Sequence, residues 1–278
     1  MRALLCATAG MAVALTHAAP PEEPRTFGLV AAMGDLFSAV NEVPTVGSHL
    51  PPYRRRTIEV KDDVINRIVL KGMGDAVAQV EPGSNRVFVS VRLAREIQDR
   101  PSRIEESAFA AAVEALRRMP QRGEWHRIVV ATPAYRAAAR DGLGGGMEGL
   151  GLFTQPLCRG DIRDCDVRSR PATAGVPAKT PSGETQAASR YVAPYLFAKV
   201  RILDPKTLEV LDTQEIFDHE KLFDPDSGAM DMNRTIDHKV LAVRILERVE
   251  TSTVEAVRRS ELRGRVDVQE KGPVVPAR

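Results

Sequence analysis

The alternation of apolar and polar positions divides the chain into recognisable elements. Phe27 to Met33 is an apolar run that stops at Gly34-Asp35, and it reads as a buried strand followed by a turn. Leu36 to Val40 reads as its returning hairpin partner. Residues 44–56 hold Pro44, Pro51 and Pro52 and then Arg54-Arg55-Arg56, the pattern of a loop with a basic cluster. A short strand at Thr57 to Val60 follows. From Asp62 the period changes. Val64, Ile65, Ile68, Val69, Met73, Ala76, Val77 and Val80 recur at helical spacing, with Asp62 or Asp63 as the cap and Glu81-Pro82-Gly83 as the stop. Gly72 and Gly74 weaken that helix and mark close packing. Arg86 to Leu93 alternates as a strand does, with Val87, Val89 and Val91 on one side. A second helix over 102–119 opens on Ser102, and Trp125 to Thr132 is a strand again.

The middle of the chain breaks this rhythm. Asp141 to Gly151 is glycine-rich, and 155–190 is rich in Pro, Ala, Ser, Thr and Arg with little periodicity. Order returns with two strands, Tyr191 to Leu203 and Leu208 to Ile216, joined by the turn Asp204-Pro205-Lys206-Thr207. A last helix spans 235–262, with Ile236, Val240, Val243, Ile245, Leu246, Val249, Val254 and Val257 as its expected core positions. The pattern predicts an α/β or α+β fold: a single mixed sheet of about six strands packed by three helices. The expected organisation is a leader at 1–19, a flexible lead-in at 20–26, one domain over 27–262 and a flexible tail at 263–278. A partly mobile Gly/Pro-rich insertion is expected at 141–190.

The leader reading changes the chemistry. Arg2 forms a positive start, Leu4 to Leu15 a mostly apolar run, and Thr16-His17-Ala18-Ala19-Pro20 a small-residue cleavage site after Ala18 or Ala19. The run is too short to span a bilayer as a helix, and no later stretch is long and apolar enough. The expectation is export, to the periplasm or outside the cell. Cys6 then leaves with the leader, and Cys158 and Cys165 remain as an even pair in an oxidising compartment. They are expected to form a disulfide closing a small loop, worth roughly 2–3 kcal/mol by chain entropy.

Charge narrows the partners. The formal net charge is +2 and the aromatic content 5%, so neither a basic surface nor a stacking platform for nucleic acid is expected. Candidate chemistry is sparse. Asp35, directly after the first strand, occupies a place where α/β enzymes put acidic catalytic or metal-binding residues, although a turn accounts for Gly34-Asp35 without chemistry. Leu36 stands where an ester hydrolase of the Gly-Asp-Ser kind has its serine, and Ser38 is wrongly spaced. The block Gly142 to Gly151 lacks the Lys-Ser or Lys-Thr close of a phosphate loop and reads as a tight backbone approach or flexible crossing. Asp218-His219-Glu220 with Asp224 and Asp226 is the densest acidic cluster. Asp35 and His219 are the catalytic candidates, and Asp218, Asp224 and Asp226 the metal candidates. A solvated loop with Asx turns is the competing account of the cluster. No motif specifies a cofactor.

The opening Gly28-x-x-x-Ala32-x-Gly34-Asp35-x-Phe37, with Gly149-Leu150-Gly151 after a later strand, resembles a family of uncharacterised exported bacterial proteins. The resemblance covers short blocks only. It implies export and an α/β sheet, and it brings no catalytic residues. The leading expectation is an exported soluble protein that binds or assists in the cell envelope, with an envelope protein as a possible partner. The alternatives are a secreted hydrolase, metal-assisted, built on Asp35 with the His219 group, and an assembly subunit pairing through its sheet edge.

Overall fold

The computed structural model describes residues 23–42, 53–155, 176–188, 190–226 and 236–262. The expected leader, the Cys158/Cys165 pair and the tail lie outside these residues. The elements are β1 (Thr26–Ala31), β2 (Leu36–Glu42), β3 (Tyr53–Glu59), α1 (Val64–Val80), β4 (Asn85–Ser90), α2 (Arg95–Gln98), α3 (Ile104–Arg117), β5 (Arg127–Pro133), β6 (Tyr135–Arg136), β7 (Met147–Gln155), β8 (Val176–Lys179), β9 (Thr185–Ala188), β10 (Tyr191–Leu203), β11 (Val210–His219) and α4 (His238–Arg259). The class is as expected, a mixed α/β sheet with three long helices. Among the described residues it holds nine strands rather than six, with β8–β9 as a separate two-stranded ribbon.

The sheet is built on β10, the longest strand. Its first half pairs antiparallel with β7, Tyr191↔Gln155 through Phe197↔Gly149. Its second half pairs antiparallel with β5, Ala198↔Pro133 through Leu203↔Ile128. β5 and β7 therefore lie end to end along β10 and run the same way. β1 is parallel to β5 and β2 is parallel to β7, so β1 and β2 likewise form one row that continues in a single direction. Gly34-Asp35 is thus not a hairpin turn. It is a break in a strand path, with Gly34 at φ +82 taking the left-handed step that glycine accepts most readily. Outside this row lie β4, parallel to β1, and β3, antiparallel to β2. Because β3 and β4 run toward each other, their C-terminal ends converge at the break.

The two faces are covered differently. Leu29, Met73, Val77, Leu196, Val200, Ile202, Val249 and Val257 belong to the core that α1 and α4 close on one face. On the other face α3 covers Val30, Ile128 and Val130 together with Trp125. A Cβ at Gly28 would overlap the Trp125 ring, so the absence of a side chain there lets the indole lie on the strand. The rest of that face is aromatic, with Phe153, Tyr191, Tyr195 and Phe197.

Several local expectations change. The arginine run lies inside β3, because β2 supplies a seven-residue partner that sequence period does not reveal. The expected insertion at 141–190 contains β7, an inner strand. Gly151 in it is a tight backbone approach, one of the two readings of the glycine block, since a Cβ there would meet the Ser38 carbonyl and the Tyr195 hydroxyl, whereas Gly149 takes a positive φ of 59. The last helix is amphipathic, but Val240, Val243 and Leu246 are exposed rather than in the core. Its N-cap is Asp237, whose carboxylate accepts from the Lys239 N–H at 2.7 Å.

Candidate functional site: a cleft where the strand row breaks

At the break, a cleft of about 350 Å³ is lined by Gly34, Asp35, Glu59, Val60, Lys61, Asp62, Asp63, Asn66, Arg92 and Leu93. These come from the β1–β2 link, the end of β3 and its link to α1, α1 itself and the segment after β4. The cleft thus sits at the C-terminal ends of β1 and β4, outside the edge of a parallel pair, where α/β sheets commonly receive ligands.

Two buried amides hold it open. Asn66 is on the buried stripe of α1 one residue from Ile65, and its Oδ1 accepts the Met33 N–H at 2.8 Å. Its Nδ2 donates to Asp63 Oδ1 at 2.8 Å and to Ser90 Oγ at 3.0 Å. Gln98, buried at the end of α2, accepts the Asp35 N–H at 3.0 Å and donates to the Leu93 carbonyl at 3.0 Å. The Val60 N–H closes the other side by donating to the Asp35 carbonyl at 2.7 Å. Each amide replaces a ladder partner that the broken strand lacks, so the backbone stays satisfied around a gap.

The wall opposite carries strain. Asp62 and Asp63 both have positive φ, 60 and 58. Asp63 does not cap α1 with its side chain; its carboxylate instead takes Asn66 and Ser90. Two consecutive left-handed non-glycine residues cost on the order of 1–3 kcal/mol each, and such strain concentrates at functional positions. Four carboxylates, Asp35, Glu59, Asp62 and Asp63, outnumber the cations Lys61 and Arg92 in the lining. Among the described residues, Asp35 Oδ1 is shielded from solvent and has no hydrogen-bond partner. That acceptor is costly unless a donor reaches it.

A second polar cluster is buried on the opposite face. Glu148 of β7 pairs with Arg55 of β3 and accepts from Ser38 Oγ of β2 at 3.0 Å. Arg55 Nη2 also donates to Ser38 at 3.1 Å. Burial lowers the Arg55 pKa and raises that of the neighbouring Tyr195 phenol far above its usual range. The serine hydroxyl is thereby tied into a structural knot across three strands.

The remaining candidates are placed separately. Asp218 turns toward α4, where it meets Arg248 at 3.1 Å and Ser252. His219 belongs to the opposite side of β11, near Lys221, Asp141 and Arg136; burial first and Lys221 second hold its pKa below the ordinary 6.5. Glu220 is held by Lys179 at 2.7 Å and Arg248 at 3.2 Å. Asp224 accepts the Asp226 N–H at 3.0 Å, an Asx turn. Asp35 lines the cleft, and neither His219 nor the three metal candidates do. Among the described residues, no three His, Cys, Asp or Glu side chains form a metal-ligating group. Asn66 and Gln98 were not among the expected site residues. Asn66 was detectable as a polar residue on an apolar helical stripe; Gln98, in a single helical turn, carried no such signal.

No protein-family model matches the chain, and no curated protein matches it. Among solved structures, a neuraminyllactose-binding hemagglutinin homolog from Helicobacter pylori is similar at 6% identity, with 89% of this chain and 84% of that one covered and a TM-score of 0.31. A Xanthomonas campestris protein of family DUF330 is similar at 10% identity, with 86% of each chain covered and a TM-score of 0.32. Both similarities are weak, and no residue role passes from either. Among the described residues, no helix is long and apolar enough to cross a membrane.

Proposed function

We propose that this chain is an exported binding or accessory protein of the cell envelope, and that the cleft at the β1–β2 break is its ligand site. The ligand class is a small cation, an ammonium or guanidinium group on a short stem. One observation carries this reading. Asp35 lines a cleft where carboxylates outnumber cations, and its shielded Oδ1 has no hydrogen-bond partner among the described residues. A ligand N–H donor would satisfy that oxygen once the Asp35 side chain turns it into the cleft, and charge-assisted hydrogen bonds are worth about 1.5–3 kcal/mol each. The leader pattern at 1–19 supports the export half of the proposal.

Two measurements test it. Fractionation with N-terminal sequencing should recover a chain starting at Ala19 or Pro20 outside the cytoplasm. A full-length cytoplasmic chain contradicts export. Calorimetry with lysine, arginine and spermidine should show binding that succinate and glycerol phosphate lack. Asp35→Asn should weaken it by about tenfold or more, the loss of one charged contact. Equal response to cations and anions contradicts the site.

A further inference from the structure

We infer that the outer edge of β4, with the groove between it and α1, is a docking site for an extended acidic segment of a partner protein, which joins the sheet as an added strand. The groove, about 380 Å³, is lined by Arg67, Leu70, Lys71, Gly74, Asp75, Arg86 and Phe88. It shares no lining residue with the Asp35 cleft, so the two proposals stand or fall separately.

The backbone is prepared for addition. β4 pairs with β1 in unbroken parallel register, Thr26↔Asn85 through Ala31↔Ser90. Among the described residues no strand pairs its other edge. Alternate residues of an edge strand turn their N–H and C=O groups outward, which is the template that strand addition uses. Protected edges carry charged side chains, proline or bulges, or are very short. Of these β4 has one charge, Arg86, in its six residues.

The side chains define what would be accepted. Phe88 is 52% exposed, the most exposed of the large apolar side chains among the described residues. Its ring lies across α1 at Gly74, where a Cβ would come within 2.9 Å of it. The groove therefore has an aromatic wall beside a helix backbone with no side chain between. Two residues earlier, on the same face of β4, Arg86 donates to the Gly74 carbonyl at 3.0 Å and has no carboxylate partner among the described residues. Arg67 has none either. Lys71 is already held by Asp75 at 2.9 Å and Glu250 at 2.5 Å. Two unmatched guanidinium groups beside an exposed ring select a strand with an acidic and an apolar residue two positions apart, since cross-strand neighbours share a face. Arginine suits this role because its planar fork binds carboxylates bidentately.

The test uses the full-length chain and short capped peptides. The first peptide alternates threonine with glutamate and leucine. The second replaces glutamate with lysine, and the third is the first with alternate backbone nitrogens methylated. Fluorescence anisotropy should show the glutamate peptide binding, more weakly at high salt, and at least tenfold more tightly than the other two. Amide protection should rise along Arg86 to Ser90. Arg67→Glu, a change at an exposed position, should reduce binding of the glutamate peptide, and Phe88→Thr should reduce binding of both charged peptides. Equal binding of the glutamate and lysine peptides would overturn the inference. So would unimpaired binding of the methylated peptide, protection along β3 or β11 instead of β4, or no binding of the glutamate peptide.

Discussion

Replacing Arg55 with Met should be among the most destabilising single changes in this fold. The Glu148 side chain is only 5% exposed and Arg55 23%. With the arginine gone, a buried carboxylate keeps a single donor among the described residues, Ser38 Oγ. Breaking one side of a buried ion pair costs about 3–5 kcal/mol, because the remaining charge is left desolvated. That is a large part of a total stability of roughly 5–15 kcal/mol. In urea, with a slope of about 2–3 kcal/mol/M, the midpoint should fall by roughly 1–2 M. The double variant Arg55→Met with Glu148→Met should regain most of the loss, since apolar replacement of a whole buried pair is often near neutral. Circular dichroism across the four proteins of the cycle measures this. A midpoint shift in Arg55→Met below about 0.3 M would show a solvated pair. A double variant no better than the sum of its singles would show that the two charges do not depend on each other.

Gly28→Ala should push the Trp125 ring off the strand, cost about 1–3 kcal/mol, and shift the emission of the chain's single tryptophan. Gly34→Ala should destabilise by on the order of 1–2 kcal/mol, because a Cβ there both meets the Gln98 amide and sits at positive φ; thermal unfolding measures it. For His219 the sign follows from burial: the folded state prefers the neutral ring. Its contribution is complete above the unfolded value near 6.5 and is lost as pH falls through the lower folded value. An NMR titration should therefore place the His219 midpoint below 6.5, and one at or above it contradicts the burial account.

Elements that carry their own period are legible in the sequence. The helix from Val64, the strand around Ile128-Val129-Val130 and the β10–β11 hairpin all appear near where the pattern puts them. The hairpin turn is fixed locally, by Asp204 Oδ1 accepting the Lys206 and Thr207 N–H groups at 2.8 Å. Gly72 and Gly74 also mean what their place suggested, close packing, against Thr253 and Phe88. What failed depends on distant pairing. Gly34-Asp35 has the local chemistry of a turn, and only the end-to-end arrangement of β5 and β7 along β10 makes it a strand break. Arg54 to Arg56 look solvated until Glu148, nearly a hundred residues on, takes Arg55 into the interior. Val240, Val243 and Leu246 follow a helical spacing on a side of α4 that the sheet does not cover.

The cleft was half legible. Asp35 stood out by its place after a strand. Its companions Asp62 and Asp63 read as helix caps, and their left-handed backbone is a property of the β3–α1 link rather than of any motif. Asn66 and Gln98 matter because the strand breaks where they sit, and that break is invisible in sequence.

The most direct test of the central claim is an amide-resonance titration of the isotopically labelled chain with spermidine. Saturable shifts confined to Gly34, Asp35, Lys61, Asp62, Asp63 and Asn66, and much reduced in Asp35→Asn, are the predicted result. Shifts centred elsewhere, or the same shifts in Asp35→Asn, would contradict it.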